Sequence, residues 1–139
     1  MKKINFTVED TTTVNITNPM TGDDILDENG RACSITIHGL MSDHYEVEKN
    51  KILNRRIMRP TKKNSIEKEY RDSISLMVSQ IKSLNNFGHI QINGIDVTMD
   101  NIKEVLANPA AKWFKEQIDL AIGDDRAFLS QESPKQEKS

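Results

Sequence analysis

Between Ser65 and Leu84 the apolar residues Ile66, Tyr70, Ile74, Met77, Val78, Ile81 and Leu84 recur at spacings of four, four, three, one, three and three. A helix at about 3.6 residues per turn puts such a set on one continuous face. The spacing predicts a helix over 65–84, the longest in the chain, capped by Ser65 and stopped by Asn85-Asn86 and Gly88. It also predicts burial of Ile66, Tyr70, Ile74, Val78 and Ile81, in the monomer or in an assembly.

A helix of that kind needs a layer to cover it, and the N-terminal third reads as β. In TTTVNIT, residues 11–17, the chain is β-branched, with Val14 and Ile16 on one side. NPMTGDD, residues 18–24, and DENG, residues 27–30, carry turn chemistry. In ACSITIHG, Cys33, Ile35 and Ile37 alternate with Ser34, Thr36 and His38, the pattern of a half-buried antiparallel strand. The simplest pairing is with residues 12–17, with 24–27 adding a short rung. Residues 1–10 look weakly specified.

Ser42 is an N-cap for a helix over about 43–58, which Pro60 ends. HIQINGIDV alternates around Asn93-Gly94 and predicts a hairpin over 89–97. Thr98 then caps a helix of about 99–107. Asn108-Pro109 opens another over 109–122, with Gly123 as a left-handed C-cap. SQESPKQEKS, residues 130–139, has no large apolar group and reads as a disordered tail. The expectation is an α+β fold: one domain over 1–129, with an N-terminal antiparallel β unit over about 11–39 followed by a mainly helical region.

At 139 residues a core needs no staple, although 36% hydrophobic and 5% aromatic residues keep it modest. A net charge of −2 gives no global drive toward nucleic acid or an anionic membrane. One cysteine, Cys33, excludes an internal disulfide and fits a reducing compartment. There is no secretory h-region and no long apolar run, so we expect a soluble intracellular protein without a membrane span.

Chemistry-bearing motifs are sparse. The histidines His38, His44 and His89 show no metal-ligand spacing, and no nucleophile elbow, phosphate loop or dinucleotide fingerprint occurs. Asp23, Asp24, Asp27 and Glu28 sit in turns without the spacing of a calcium loop. These features predict neither an enzyme nor a cofactor. The run KNKILNRRIMRPTKK, residues 49–63, holds seven basic residues, Arg55, Arg56 and Arg59 among them, and no acid. A solvated face or a patch for an acidic partner explains it better than a nucleic-acid footprint, because no aromatics are interleaved. Trp113, Phe114, Gln117, Ile118, Ala121 and Ile122 form a helical stripe, with Phe128 beyond. Such a stripe is ordinarily core. Yet Trp113 and Phe114 project about 100° apart, so spare aromatic area is a candidate partner anchor. The candidate partner-binding residues are therefore Trp113, Phe114, Ile118, Ile122 and Phe128, with Arg55, Arg56 and Arg59.

Both ends of the chain resemble one family. NPMTGDDI followed by ENGRACSITIHGLMSDHY is similar to the N-terminal pattern of tail assembly chaperones of long, non-contractile phage tails, through Pro19, Thr21, Gly22, Gly39, Ser42 and Tyr45. The closing segment is similar through Pro109, Trp113, Gln117, Ile118, Ala121, Ile122, Gly123, Asp124, Phe128 and Leu129. Where that family often has a Trp and Cys-Thr-x-Glu-Asn, this chain has NFGHIQINGIDVT. The resemblance implies a non-catalytic assembly factor without cofactor. It would bind the tape-measure protein, help recruit tail-tube subunits in the host cytoplasm, and be absent from the mature virion. It also implies a second, longer product by ribosomal slippage, with which Ser133-Pro134-Lys135 is compatible, as an ordinary polar terminus also is. The competing readings are a structural virion subunit (a tail completion or connector protein) and a DNA-binding regulator using 49–63. A homo-oligomer is compatible with any of them.

Overall fold

The computed structural model describes residues 3–58 and 65–132, without side-chain detail at 56–58, 65 and 131–132. Arg59, the connector 60–64 and residues 133–139, with Ser133-Pro134-Lys135, lie outside the described residues. The fold is α+β, with N-terminal antiparallel strands followed by helices, as the periodicities predict. In chain order it runs β1 (Asn5–Val8), β2 (Thr11–Asn15), β3 (Ser34–His38), α1 (Asp43–Met58), α2 (Ser65–Gln80), β4 (Ile81–Asn85), β5 (Gln91–Ile92), β6 (Ile95–Asp96), α3 (Ile102–Ala107), α4 (Lys112–Ile122) and β7 (Leu129–Glu132).

The β unit forms as expected. β2 pairs with β3 antiparallel, Val14 opposite Ile35 and Thr12 opposite Ile37. The rung over 24–27 is present: Ile25 N–H donates to the Ile16 carbonyl at 3.1 Å, and Cys33 N–H to the Ile25 carbonyl at 2.7 Å. The turn at 18–23 closes with Asn18 Oδ1 accepting from Met20 N–H and with Gly22 at φ +79. At the other turn, Asp27 Oδ1 accepts from the N–H groups of Asn29 and Arg31. The hairpin is also where the sequence puts it, with Asn93 and Gly94 both at positive φ between β5 and β6.

The predicted 65–84 helix is corrected at its C-terminal end. It stops at Gln80, and Ile81–Asn85 becomes β4 on the second edge of β3. The register shifts between Thr36 and Ile37: Ile81 lies opposite Ile37, Ser83 opposite Thr36 and Leu84 opposite Ile35. The shift leaves Lys82 as the extra residue of a bulge. Ile81 and Leu84, three apart, therefore share a sheet face that they would equally share on a helix. Periodicity cannot separate the two cases. The buried carbonyls and N–H groups of β3 can, because they require partners on both edges.

The N-terminus is corrected as well. Residues 5–8, read as weakly specified, pair with 129–132, Val8 opposite Leu129 and Asn5 opposite Glu132. The expected tail therefore begins no earlier than residue 133. Thr98 Oγ1 accepts from Asn101 N–H at 3.2 Å, but the helix it was expected to start begins only at Ile102. Asn108 caps a 3-10 turn, Pro109–Ala111, that runs into α4. Gly123 ends α4 at φ −83 and not in the left-handed region. The chain does not reverse there: Asp124 N–H donates to Ala121 O, and a second 3-10 turn, Asp125–Phe128, follows directly.

One apolar cluster joins Ile16, Cys33, Ile35 and Ile37 of the β unit to Ile74 and Met77 of α2, Val105 and Leu106 of α3, and Phe114, Ile118 and Ile122 of α4. Phe114 is 1% exposed, whereas Leu120 on the opposite side of α4 is 75% exposed. Phe114→Ala is expected to cost about 3–5 kcal/mol through lost burial and a residual cavity, and Leu120→Ala to stay within about ±0.5 kcal/mol. Urea denaturation of the two variants, read by far-UV circular dichroism, checks the contrast.

Candidate partner-binding surface

The terminal aromatic segment resolves into core. Phe114, Ile118, Ile122 and Phe128 are buried, and only Trp113 keeps partial exposure. Ile122, though 6% exposed, lines an open hollow, whereas for Phe114, Ile118 and Phe128 this corrects the expectation that they anchor a partner. Their contacts are intramolecular. The Phe114 ring lies 5.9 Å from Phe87 and 5.7 Å from Trp113, tilted 46° and 47° to them, so the two neighbouring aromatics touch even though they leave the helix in different directions. Phe128 rests on Gly39, where an added Cβ would sit 2.9 Å from the ring. Only a residue without a side chain lets the ring close over the end of β3.

Gln117 is the stripe's polar member, and sequence periodicity left its role open. Its Nε2 donates to the Thr17 carbonyl and its Oε1 accepts from Thr17 N–H, both at 2.9 Å. The amide thus acts as one extra rung for the strand before the Asn18-Pro19 turn.

The corner between β3 and α1 is polar and buried. Ser42 Oγ accepts from Tyr45 N–H at 3.1 Å, the predicted cap, and donates to the Gly39 carbonyl at 2.7 Å. Gln80 Nε2 donates to the His38 carbonyl at 3.2 Å. His38 and His44 stack with ring centroids 4.0 Å apart. His44 Nε2 lies 2.6 Å from the Ser79 carbonyl, which can only accept, so that nitrogen carries the hydrogen. Among the described residues nothing pairs with the buried His38 Nδ1. Burial, then the neighbouring His44 and Lys82, lower the His38 pKa below its ordinary value of 6.5, with Asp10 opposing. No group of three or more His, Cys, Asp or Glu among the described residues is arranged to hold a metal ion. The turn acids serve the turns: Asp24 Oδ2 accepts from Asn15 at 3.1 Å, and Asp27 pairs with Arg31 at 2.9 Å. The Arg31 backbone N–H is the main cause of the lowered Asp27 pKa.

The open apolar surface lies elsewhere, on the helices. α1 and α2 run antiparallel, with His44 beside Ser79 at one end. A hollow of about 310 Å³ opens between them and α4, lined by Leu40, Tyr45, Leu76, Met77, Asp119 and Ile122 among others. A second hollow, about 230 Å³, continues along Tyr45, Leu53 and Leu76. At the N-terminal half of α2 the predicted burial is not met within a single copy. Ile66 is 82% and Tyr70 47% exposed, because only Ile74 and Met77 of this helix are buried in the apolar cluster. Lys115 Nζ sits 4.6 Å from the centre of the Tyr70 ring. The basic residues of α1 do not share one face: Lys49 lines the second hollow, 6.0 Å from the centre of the Tyr45 ring. Lys49, Lys51 and Arg55 are exposed, and Lys51 pairs with Glu48 at 3.2 Å. Arg56 lies in α1 without side-chain detail, and Arg59 lies outside the described residues. The β1–β7 ribbon shows Phe6, Val8 and Leu129 on one exposed face. No helix among the described residues is long and apolar enough to cross a membrane.

No family model, curated protein or solved structure matches this chain.

The histidine corner makes a pH prediction. Folded His38 resists a proton that the unfolded chain takes up near pH 6.5, so stability is fully present above that value and declines as the pH falls through it. The urea midpoint is expected to drop between about pH 7.5 and 5.5, and His38→Phe, which keeps a ring on His44, should flatten that drop.

Proposed function

We propose that the chain is a tail assembly chaperone of a long, non-contractile-tailed phage or prophage, a binding protein and not an enzyme. In this reading it holds the tape-measure protein in the host cytoplasm, helps bring tail-tube subunits to it, and does not stay in the mature virion. The observation that carries the reading is the meeting in space of the two stretches on which the resemblance rests. Gln117 bonds Thr17, immediately before Asn18-Pro19, and Phe128 lies on Gly39. Tyr45 and Ile122 line one hollow. Residues some 100 positions apart in the motif pattern thus depend on each other for packing, which is a physical reason for them to occur together.

The helical surface supports a binding role. A groove-lying amphipathic helix is recognised through apolar anchors spaced along one face, and a tape-measure protein is a long helical chain. The hollows along α1, α2 and α4 are open and mainly apolar, with Lys115 and Lys49 in their lining and Lys51 and Arg55 exposed on α1.

Co-expression with the tape-measure protein of the same genome tests this. The expected outcome is a soluble complex that co-purifies, and finished particles that lack the chain. A tape-measure protein that stays insoluble and unbound overturns the reading. Retention of the chain in purified tails replaces it with a virion subunit. Duplex-DNA binding with a steep salt dependence would instead favour a regulator that uses 49–63.

A further inference from the structure

α2 carries both an uncovered apolar projection and an unfilled apolar hollow on the same face. At about 100° per residue, positions 66, 70, 73, 77 and 80 fall within roughly 80° of one another on the helix. Ile66 and Tyr70 project at the N-terminal half, 82% and 47% exposed. Met77 and Gln80 line the hollow of about 310 Å³ at the C-terminal half. Ile66 and Met77 are separated along α2 by about 16 Å, at ~1.5 Å per residue.

We propose that the chain forms a two-fold symmetric dimer through this face, with Ile66 of each copy seated in the other's hollow between α1, α2 and α4. A two-fold axis perpendicular to α2 at Ser73 superimposes position 66 of one copy on position 80 of the other, and 70 on 76. Such an isologous contact requires one patch to be complementary to itself, and a projection seven residues to one side of Ser73 with a hollow that runs from Ser73 to Gln80, seven residues to the other, meets that condition. Size agrees. A cavity of ~150 Å³ admits a benzene ring, so one of about twice that volume takes an isoleucine side chain and part of a phenol ring. The residue on the axis is small and exposed, and Ser73 Oγ turns back to the Tyr70 carbonyl at 2.7 Å, so the two helices can approach closely. A pair of four-turn helices buries less than the ~1,200–2,000 Å² of a stable complex, which makes this a reversible dimer with a dissociation constant in the micromolar range, ~1–100 µM.

Sedimentation velocity from about 1 to 300 µM tests the proposal, with the expected shift from monomer to dimer across that range. Ile66→Asp, at an exposed position, should hold the chain monomeric at the highest concentration while leaving its circular dichroism and urea midpoint unchanged. Ser73→Cys should form an intermolecular disulfide on mild oxidation, since the native Cys33 is buried and Ser73 meets its own copy at the axis. Lys112→Cys, away from this face, should not. A chain that stays monomeric at 300 µM overturns the proposal. So does a dimer that survives Ile66→Asp, or one that fails to cross-link through Ser73→Cys, because either places the contact on another surface such as the β1–β7 ribbon. A tape-measure helix in the same hollow would compete with this dimer, but all of these measurements are made on the chain alone and stand whether or not it binds a tape-measure protein.

Discussion

The backbone of β3 has to be satisfied on both edges, and most of the fold follows from that. Ile35 and Ile37 are fully buried and Ser34 nearly so, which leaves no water for the strand's N–H and C=O groups. β2 can cover only one side. The segment after α2 is taken for the other, at the cost of its own helical continuation. Because β4 begins one residue after the last residue of α2, the helix is locked against the sheet where it ends. Its C-terminal half is then core by geometry, and its N-terminal half extends beyond the sheet. The same strand sets the polar corner: its last residue His38 and the following Gly39 expose carbonyls that Gln80 of α2 and Ser42, the cap of α1, satisfy.

The closing segment acts on the other end of that unit. Gln117 serves Thr17 as a paired strand residue would, and Phe128 covers Gly39. A side-chain amide that both donates and accepts holds register without needing a strand, and a buried ring against a glycine holds distance. Together they fix α4 and the 3-10 turn after it to both ends of the β2–β3 hairpin. The chain's scarce aromatics belong here for that reason. Phe87, Phe114 and Phe128 have no competing core of large side chains to join, and concentrating them closes the one region where sheet, hairpin and helices converge.

How much of this is legible without coordinates depends on whether a signal is local. Ser42, Asn18-Pro19 and Asn93-Gly94 each act within a few residues, and each does what its chemistry suggests. The alternation at Cys33, Ile35 and Ile37 identifies a half-buried strand, and β2 is its nearest partner. β4 is illegible because a bulge gives Ile81 and Leu84 the same three-residue spacing that a helix would. The β1–β7 pair is illegible for another reason: two short segments more than 120 positions apart, neither strongly patterned, form strands only through each other. For the candidate site, the terminal stripe was correctly apolar. Direction does not settle its role, since two aromatics 100° apart can both be accommodated when one is core and the other packs tilted against it. Gln117 carried no apolar signal at all.

Where the apolar stripe of α2 leaves the core is therefore informative. Within a helix that packs along its whole length, a solvent-facing Ile66 and Tyr70 would be random surface residues, and isolated surface hydrophobics need no explanation. Here they stand in phase with Met77 and with the hollow beside it, on a periodicity that continues unbroken from exposed to buried positions. A stripe selected only for the monomer's core would end where the core ends, at about Ile74. Its extension by two further turns toward the helix start, in a chain with so few large apolar residues, is a pattern that packing within one copy does not require. The aliphatic and tyrosine surface on α2 thus stands beside the half-buried Trp113 of α4 as apolar area that the monomer's core does not absorb.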